Sequence, residues 1–429
     1  MINMKTSAIG VVAILIFLIA ANGVSYAAGA DSDAIKRLRA LDGKPFFARE
    51  ADKVRLTWDI VPDAVMYQVV LLKNEKDTAD NIVLTVNQIF TNGAEIELTK
   101  FGDERKNFFY KVCPLNAECN PIRPFSAPKP ITEGEFNTLS PLPTSEFDKM
   151  KFAPLYPTYS WIPFLNAAKY QIQVFRKGAD DILVSNIIAE EHDAYEWSGY
   201  TYPGEYYWRL RALNSDGRTM SDWSDKRYFT VVAPVTTASY GDSITHGGGA
   251  TGVSPCITMY NYETYAHVPI KNLGKSGDTT SMMRERFTTD VLPFSPKILV
   301  IMGGVNDYRQ GISAYTTIDN LEAIGEMCRQ NGIIPVFVTP TPINGWLIER
   351  RKLASPPYYG WQHSRNVVIE WIKEQRYHID LGSILEDRDG DLDGKYSSDG
   401  LHPDYEGKKY IGNTIGNYLV KTFPDIYSD

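Results

Sequence analysis

The stretch Thr236-Thr237-Ala238-Ser239-Tyr240-Gly241-Asp242-Ser243-Ile244-Thr245 decides the fold of the C-terminal half of this chain. Its first five residues read as a short buried strand, and Gly241-Asp242-Ser243 as a tight turn into a helix. The same alternation recurs outward from it. Short apolar runs at 236–240, 270–273, 298–302, 334–338 and 378–381 are separated by helix-like segments such as 317–330 and 365–375. Strands alternating with helices predict an α/β/α domain over 234–429, with a parallel sheet covered on both faces. In such sheets the chemistry gathers beyond the carboxyl ends of the strands.

The half before Pro234 has a different pattern, an internal repeat. Thr57-Trp58, Ala64 and Tyr67-Gln68-Val69 are matched by Ser160-Trp161, Ala167 and Tyr170-Gln171-Ile172, with Trp and Tyr nine residues apart in both copies. Tyr110-Lys111-Val112 and Leu115-Asn116 line up with Trp208-Arg209-Leu210 and Leu213-Asn214. Period-two alternation around these residues predicts two all-β sandwiches, at 40–131 and 150–233, each with a Trp as core plug. On one Trp, one Tyr and the strand spacing, the copies resemble fibronectin type III modules. Residues 132–150, with Pro141 and Pro143, read as the linker.

Ahead of the repeat, Lys5, the apolar run from Ile9 to Ala20 and the small residues Ser25 and Ala27 read as a secretory signal peptide over residues 1–28. The expected product is periplasmic or secreted, with no stable membrane span after cleavage. With a net charge of −8, the chain has no electrostatic reason to bind nucleic acid or an anionic membrane surface. Export suits the four cysteines. Cys113 and Cys119 flank a short polar segment and are spaced to close a small loop, a bridge that contributes about 2 kcal/mol in an oxidising compartment. Whether Cys256 and Cys328 pair stays open.

Four segments carry chemistry, each following a predicted strand except the last. Gly241-Asp242-Ser243-Ile244-Thr245 exposes a serine hydroxyl on a strand-to-helix turn. Asn272-Leu273-Gly274-Lys275-Ser276-Gly277-Asp278 brings a glycine-bearing backbone close to a substrate. Gly303-Gly304-Val305-Asn306-Asp307 supplies a side-chain amide donor. Asp399-Gly400-Leu401-His402-Pro403 places a carboxylate three residues before an imidazole, the partner an unactivated hydroxyl needs. Each segment alone reads equally well as ordinary turn chemistry; together they supply a nucleophile, a base, a carboxylate and an oxyanion hole.

This ordered set resembles the SGNH (GDSL-type) hydrolase superfamily, over roughly residues 233–423. The resemblance implies a flavodoxin-like fold and a serine esterase that needs no metal or organic cofactor. By position it implies Ser243 as nucleophile, His402 as general base and then acid, and Asp399 as its orienting carboxylate. The implied oxyanion donors are the N–H of Ser243, the N–H of Gly277 and the amide of Asn306. Exported hydrolases of this kind with appended β-modules suggest an acylated carbohydrate, such as an O-acetyl glycan, or a small ester as substrate. The modules are then candidates for glycan or cell-surface contact. The rivals are a lipolytic esterase or lysophospholipase, and a non-catalytic glycan-binding or adhesion protein.

His246, Tyr308 and Trp346 are candidates for lining the substrate site, and for His246 a place behind the site or at the surface is expected over a catalytic one. Trp346 belongs to an aromatic segment, with Tyr358, Tyr359 and Trp361, that is expected to overhang the cleft after the fourth strand. Asp389, Asp391 and Asp393 resemble the start of a calcium loop. Position twelve is Gly400 rather than a bidentate Glu, so an acidic surface turn is the expected reading.

Overall fold

The computed structural model describes residues 53–136, 138–250 and 253–427. The signal-peptide reading and the start of the first module (40–52) lie outside the described residues.

Each half of the repeat builds a four-stranded antiparallel sheet over a smaller one. In the first, β1 (Lys53–Thr57) pairs with β4 (Gly93–Glu97). They face β2 (Met66–Leu72), β3 (Ile82–Ile89), β5 (Phe109–Leu115) and β6 (Lys129–Pro130), ordered β3-β2-β5-β6. In the second, β7 (Leu142–Pro143), β8 (Thr158–Ile162) and β11 (Asp193–Tyr195) face β9 (Lys169–Arg176), β10 (Ile182–Ala189), β12 (Gly204–Leu213) and β13 (Arg227–Val231), ordered β10-β9-β12-β13.

The repeated residues do the same work in both copies. The Trp58 and Tyr67 rings lie 5.4 Å apart, and those of Trp161 and Tyr170 4.9 Å. Each tyrosine hydroxyl accepts the N–H three residues beyond its tryptophan, from Val61 at 3.0 Å and Phe164 at 2.8 Å. The burial differs, for Trp161 is fully buried and Trp58 only half-buried.

The segment expected to be a linker is largely built into the second module. Leu142–Pro143 pairs with Trp161 and Ile162, and Phe147 packs on Tyr159, Trp208 and Phe229. Proline tolerates such an edge position, where no ladder donor is required. The expected Cys113–Cys119 bridge is also absent. Cys113 is buried with its thiol on the Arg123 carbonyl, Cys119 is exposed, and Cys256 and Cys328 are buried free thiols.

Beyond Pro234 the strands β14 (Thr237–Gly241), β15 (Lys271–Asn272), β16 (Ile298–Met302), β17 (Ile334–Val338) and β18 (His378–Ile379) form a parallel sheet, ordered β15-β14-β16-β17-β18. Numbered from its first strand this is 2-1-3-4-5, the flavodoxin-like order, whose topological switch point lies between β14 and β16. The β16 side chains Leu299 and Ile301 face helices α2 (Thr280–Asp290), α4 (Ala314–Gln330) and α6 (Trp361–Lys373). Ile298, Val300 and Met302 face α7 (Tyr405–Thr422). Both faces are covered, which is why β16 is apolar throughout rather than alternating.

The domains are not strung loosely together. One apolar cluster runs from Trp161 and Trp208 in the second module to Tyr240, Phe287 and Leu299 in the parallel-sheet domain. Leu155, on the approach to β8, donates its N–H to the Asn272 carbonyl at 2.9 Å and so covers the outer edge of β15. The first module joins the second through the buried Glu95 side chain. It accepts from Lys53 (2.7 Å), Arg55 (2.6 Å), Thr138 (2.6 Å) and the Leu165 N–H (2.8 Å).

Candidate active site

The parallel ladder sets the ends of three strands side by side, with Gly241 opposite Met302 and Ser239 opposite Asn272. Three of the chemistry-bearing loops therefore leave the sheet next to one another. Asp242 ends β14 and caps the short helix α1 (Ser243–His246), accepting the Ile244 N–H at 2.9 Å. Aspartate suits this place because its carboxylate satisfies a donor that the helix itself leaves free. Burial pushes the Asp242 carboxyl up to about 7, and the Asp278 and Asp307 carboxylates add to the rise.

The fourth loop arrives from the far end of the domain. Ser243 Oγ lies 3.0 Å from His402 Nε2, and His402 Nδ1 lies 2.9 Å from Asp399 Oδ2. The other Asp399 oxygen accepts the N–H groups of Leu401 and His402, both at 2.8 Å. Burial opposes the charge on Asp399, but His402 and these N–H donors outweigh it and hold the carboxyl below its ordinary value. The ionised carboxylate therefore accepts from Nδ1–H and leaves Nε2 free to accept the serine proton.

Beside Ser243, the two glycines of the second segment separate by environment. A Cβ on Gly274 would sit 2.3 Å from the His246 nitrogen, so Gly274 permits close packing behind α1. Gly277 has φ +89° and open space where a Cβ would project, so nothing packs against that side of the loop. Asn306 opens helix α3 (Val305–Gln310) and donates one amide hydrogen to the Asp278 carbonyl at 2.8 Å. A second hydrogen remains on that nitrogen. Asp307 accepts from the N–H (3.0 Å) and hydroxyl (2.5 Å) of Thr280, locking the third segment to the second.

Two buried cations tie these loops together, and neither was anticipated. Arg286 bonds Asp278 (2.5 Å), Asp290 (3.0 Å) and the carbonyls of Leu273 (2.8 Å) and Gly241 (2.9 Å). Lys408 donates to the Ile244 carbonyl at 2.6 Å from beneath α1. Burial lowers the Lys408 ammonium while the Glu263 and Asp242 carboxylates favour its charge. A signal for both was present, since Arg286 lies between Met283 and Asp290, and Lys408 with Ile411 and Ile415, on the buried stripes of their helices.

The candidate substrate-lining residues fare differently. His246 does not face the cleft; its ring is buried between Ser276 Oγ (2.8 Å) and the Tyr156 carbonyl (2.7 Å). Tyr308 also departs from expectation. It is a core residue stacked on Trp361 at 5.8 Å, with its hydroxyl on the Thr341 carbonyl. Trp346 is 64% exposed on helix α5 (Gly345–Arg351), which is anchored to the histidine loop where Asn344 donates to the Gly400 carbonyl at 2.7 Å. Of the other segment aromatics, Tyr358 and Tyr359 are exposed and Trp361 is buried. The acidic turn folds on itself, with Asp387 accepting the N–H groups of Asp389 and Asp391. Among the described residues no group of three acidic, His or Cys side chains is placed to hold a metal ion. Nor is any helix among them long and apolar enough to cross a membrane.

With this geometry, residues 239–410 match the GDSL-like Lipase/Acylhydrolase family. Residues 239–410 form a GDSL-like acylhydrolase domain. Over 116 residues the chain is 32% identical to the uncharacterized lipoprotein YqeF of Bacillus subtilis, a match covering 24% of this chain and 48% of that protein. The chain thus spans about half the length of that relative. Among solved structures, the acylhydrolase domain is similar to the lipase/acylhydrolase of Enterococcus faecalis, at 25% identity over 44% of this chain and 97% of that one, with a TM-score of 0.36. A GDSL-like lipase of Bacteroides thetaiotaomicron is 21% identical over 44% and 89% of the two chains, with a TM-score of 0.36. The acetyl-xylooligosaccharide esterase Axe2 of Geobacillus Stearmophilus is 19% identical over 44% and 94%, with a TM-score of 0.33.

Proposed function

We propose that this protein is an exported serine esterase that hydrolyses carboxylic esters through an acyl-serine intermediate, and that its substrates are O-acyl groups, acetyl above all, on a polysaccharide or cell-envelope glycan. The observation that carries the reading is the continuous line from Ser243 Oγ to His402 Nε2 (3.0 Å) and from His402 Nδ1 to Asp399 (2.9 Å). His402 takes the hydroxyl proton as Ser243 attacks the ester carbonyl. The tetrahedral oxyanion is held by the N–H groups of Ser243 and Gly277 and the free amide hydrogen of Asn306. His402 returns the proton to the leaving alcohol, and water repeats the sequence to release the acid.

The glycan part of the reading rests on two features. Trp346 offers an exposed indole on a helix anchored to the histidine loop, with the Arg350 guanidinium 4.9 Å from its ring. A flat aromatic face of this kind suits a sugar ring. The β-modules, closely joined to the acylhydrolase domain, suit a polymeric substrate.

The test uses the purified chain on acetylated xylan, other acetylated glycans and esters of increasing acyl length. Release of acetate from glycans, a steep fall with acyl length, and loss of turnover and of fluorophosphonate labelling in Ser243→Ala are expected. Preference for long-chain esters would move the reading to a lipolytic enzyme. A wild-type chain that neither hydrolyses esters nor takes the label would leave only a binding protein.

A further inference from the structure

The buried His246 is not used by the proposed reaction, yet it links the second β-module to the oxyanion loop. On the module side, residues 153–156 run along the edge of β15. Lys271 Nζ donates to the Ala153 carbonyl at 2.5 Å, Leu155 donates to Asn272, and the Tyr156 hydroxyl donates to Asp290 at 2.5 Å. The Lys275 ammonium sits 4.7 Å from the centre of the Tyr156 ring. These contacts fix the Tyr156 carbonyl, which lies 2.7 Å from His246 Nε2.

A carbonyl oxygen only accepts, so Nε2 carries the hydrogen. In the neutral ring Nδ1 is then an acceptor and takes the hydroxyl hydrogen of Ser276 at 2.8 Å. Burial keeps the ring neutral by pulling it down to about 4. Tyr195, also from the module, packs edge-on to the imidazole at 5.7 Å. Ser276 immediately precedes Gly277, which has open space where a Cβ would project. The far side of the loop is held by Arg286 and Asn306 through Asp278. Ser276 is the tether on the near side.

We propose that the second β-module is a working part of the acylhydrolase: the chain Tyr156 carbonyl–His246–Ser276 aims the Gly277 N–H at the developing oxyanion, and His246 and Ser276 are positioning residues. This rests on the esterase reading above. Ser276→Ala in the full chain removes the tether from a half-buried loop position. Its kcat on a small acetyl ester is expected to fall roughly ten- to a hundredfold, a fraction of the loss of a whole oxyanion donor. KM and the acid limb of the pH–rate profile should not move, because the binding surface and the base are untouched. Ser276→Thr, which keeps the hydroxyl, should restore the rate. A folded His246→Leu variant should share the kcat loss.

A Ser276→Ala enzyme with kcat within twofold of wild type, or a Thr variant as slow as the Ala variant, would overturn the tether. If the wild type turns over ester and Ser243→Ala does not, either result leaves the esterase reading standing. A wild-type chain with no turnover and no phosphonate labelling overturns both.

Discussion

At the scale of single residues, Asn306 has the most demanding task. Its one amide nitrogen holds the Asp278 carbonyl and, in the proposed reaction, also serves the oxyanion, so Asn306→Ala would lose a donor and loosen the Gly277 loop together. We expect kcat to fall by about 10²–10³ with KM little changed, read from steady-state rates on a small acetyl ester. Asp399 reaches the His402 ring through one oxygen at 2.9 Å, and Asp399→Asn would favour the wrong imidazole tautomer. A loss of about 10⁴ in kcat without loss of fold is the expected result. The sign of the pH dependence follows from the base, since a protonated imidazole cannot accept the serine hydrogen and the rate must fall in acid. Asp399, held below the ordinary carboxylate value, stays ionised through that fall. A rate that rises on acidification would contradict the assigned base.

At the scale of elements, α1 concentrates much of the site's electrostatics in four residues. His246, buried beside Arg286, Lys408 and Lys275, titrates near 4 in the fold and near 6.5 when unfolded. Between those values the unfolded chain binds more protons, so this group's contribution is complete above about pH 6.5 and is lost as pH falls toward 4. The difference is on the order of 3 kcal/mol. The difference in denaturant midpoint between the wild type and a His246→Gln variant isolates this group, because raised carboxyls such as Asp242 act in the opposite sense in both. The wild type should lose ground to the variant as pH falls from 6.5 towards 4.

Three of the four loops were legible because each stands where a strand of evident apolar pattern ends, and the fourth because a carboxylate precedes an imidazole by three residues. Gly277 was separable from Gly274 only by the motif; the structure adds that one glycine is packed against a backbone and the other is open. The helix period marks Arg286 and Lys408 as inward-facing, but their partners, like those of His246, were not legible. Their roles depend on which backbone carbonyls and carboxylates arrive from elements distant in the chain, and no local period encodes that. Residues 132–150 misled for a related reason: prolines that punctuate a loop also suit an edge strand.

At the scale of the whole molecule, the second module and the acylhydrolase domain share one apolar cluster, whereas the first module has its own. We expect calorimetry to show the second module and the acylhydrolase domain melting in a single transition; two resolved transitions for that pair would contradict the shared core. The first module is joined to the second where Glu95 accepts from Thr138 and the Leu165 N–H. Glu95→Ala leaves the Lys53 and Arg55 charges without their carboxylate, so a loss of about 3–5 kcal/mol in stability is expected.

The cover that Leu155 gives to β15 also bears on how this protein can be cut. A fragment beginning at Pro234 would keep every residue of the proposed triad yet present bare peptide groups along one flank of its sheet. Such a fragment should self-associate, with light scattering that grows with concentration, while the intact chain stays clear.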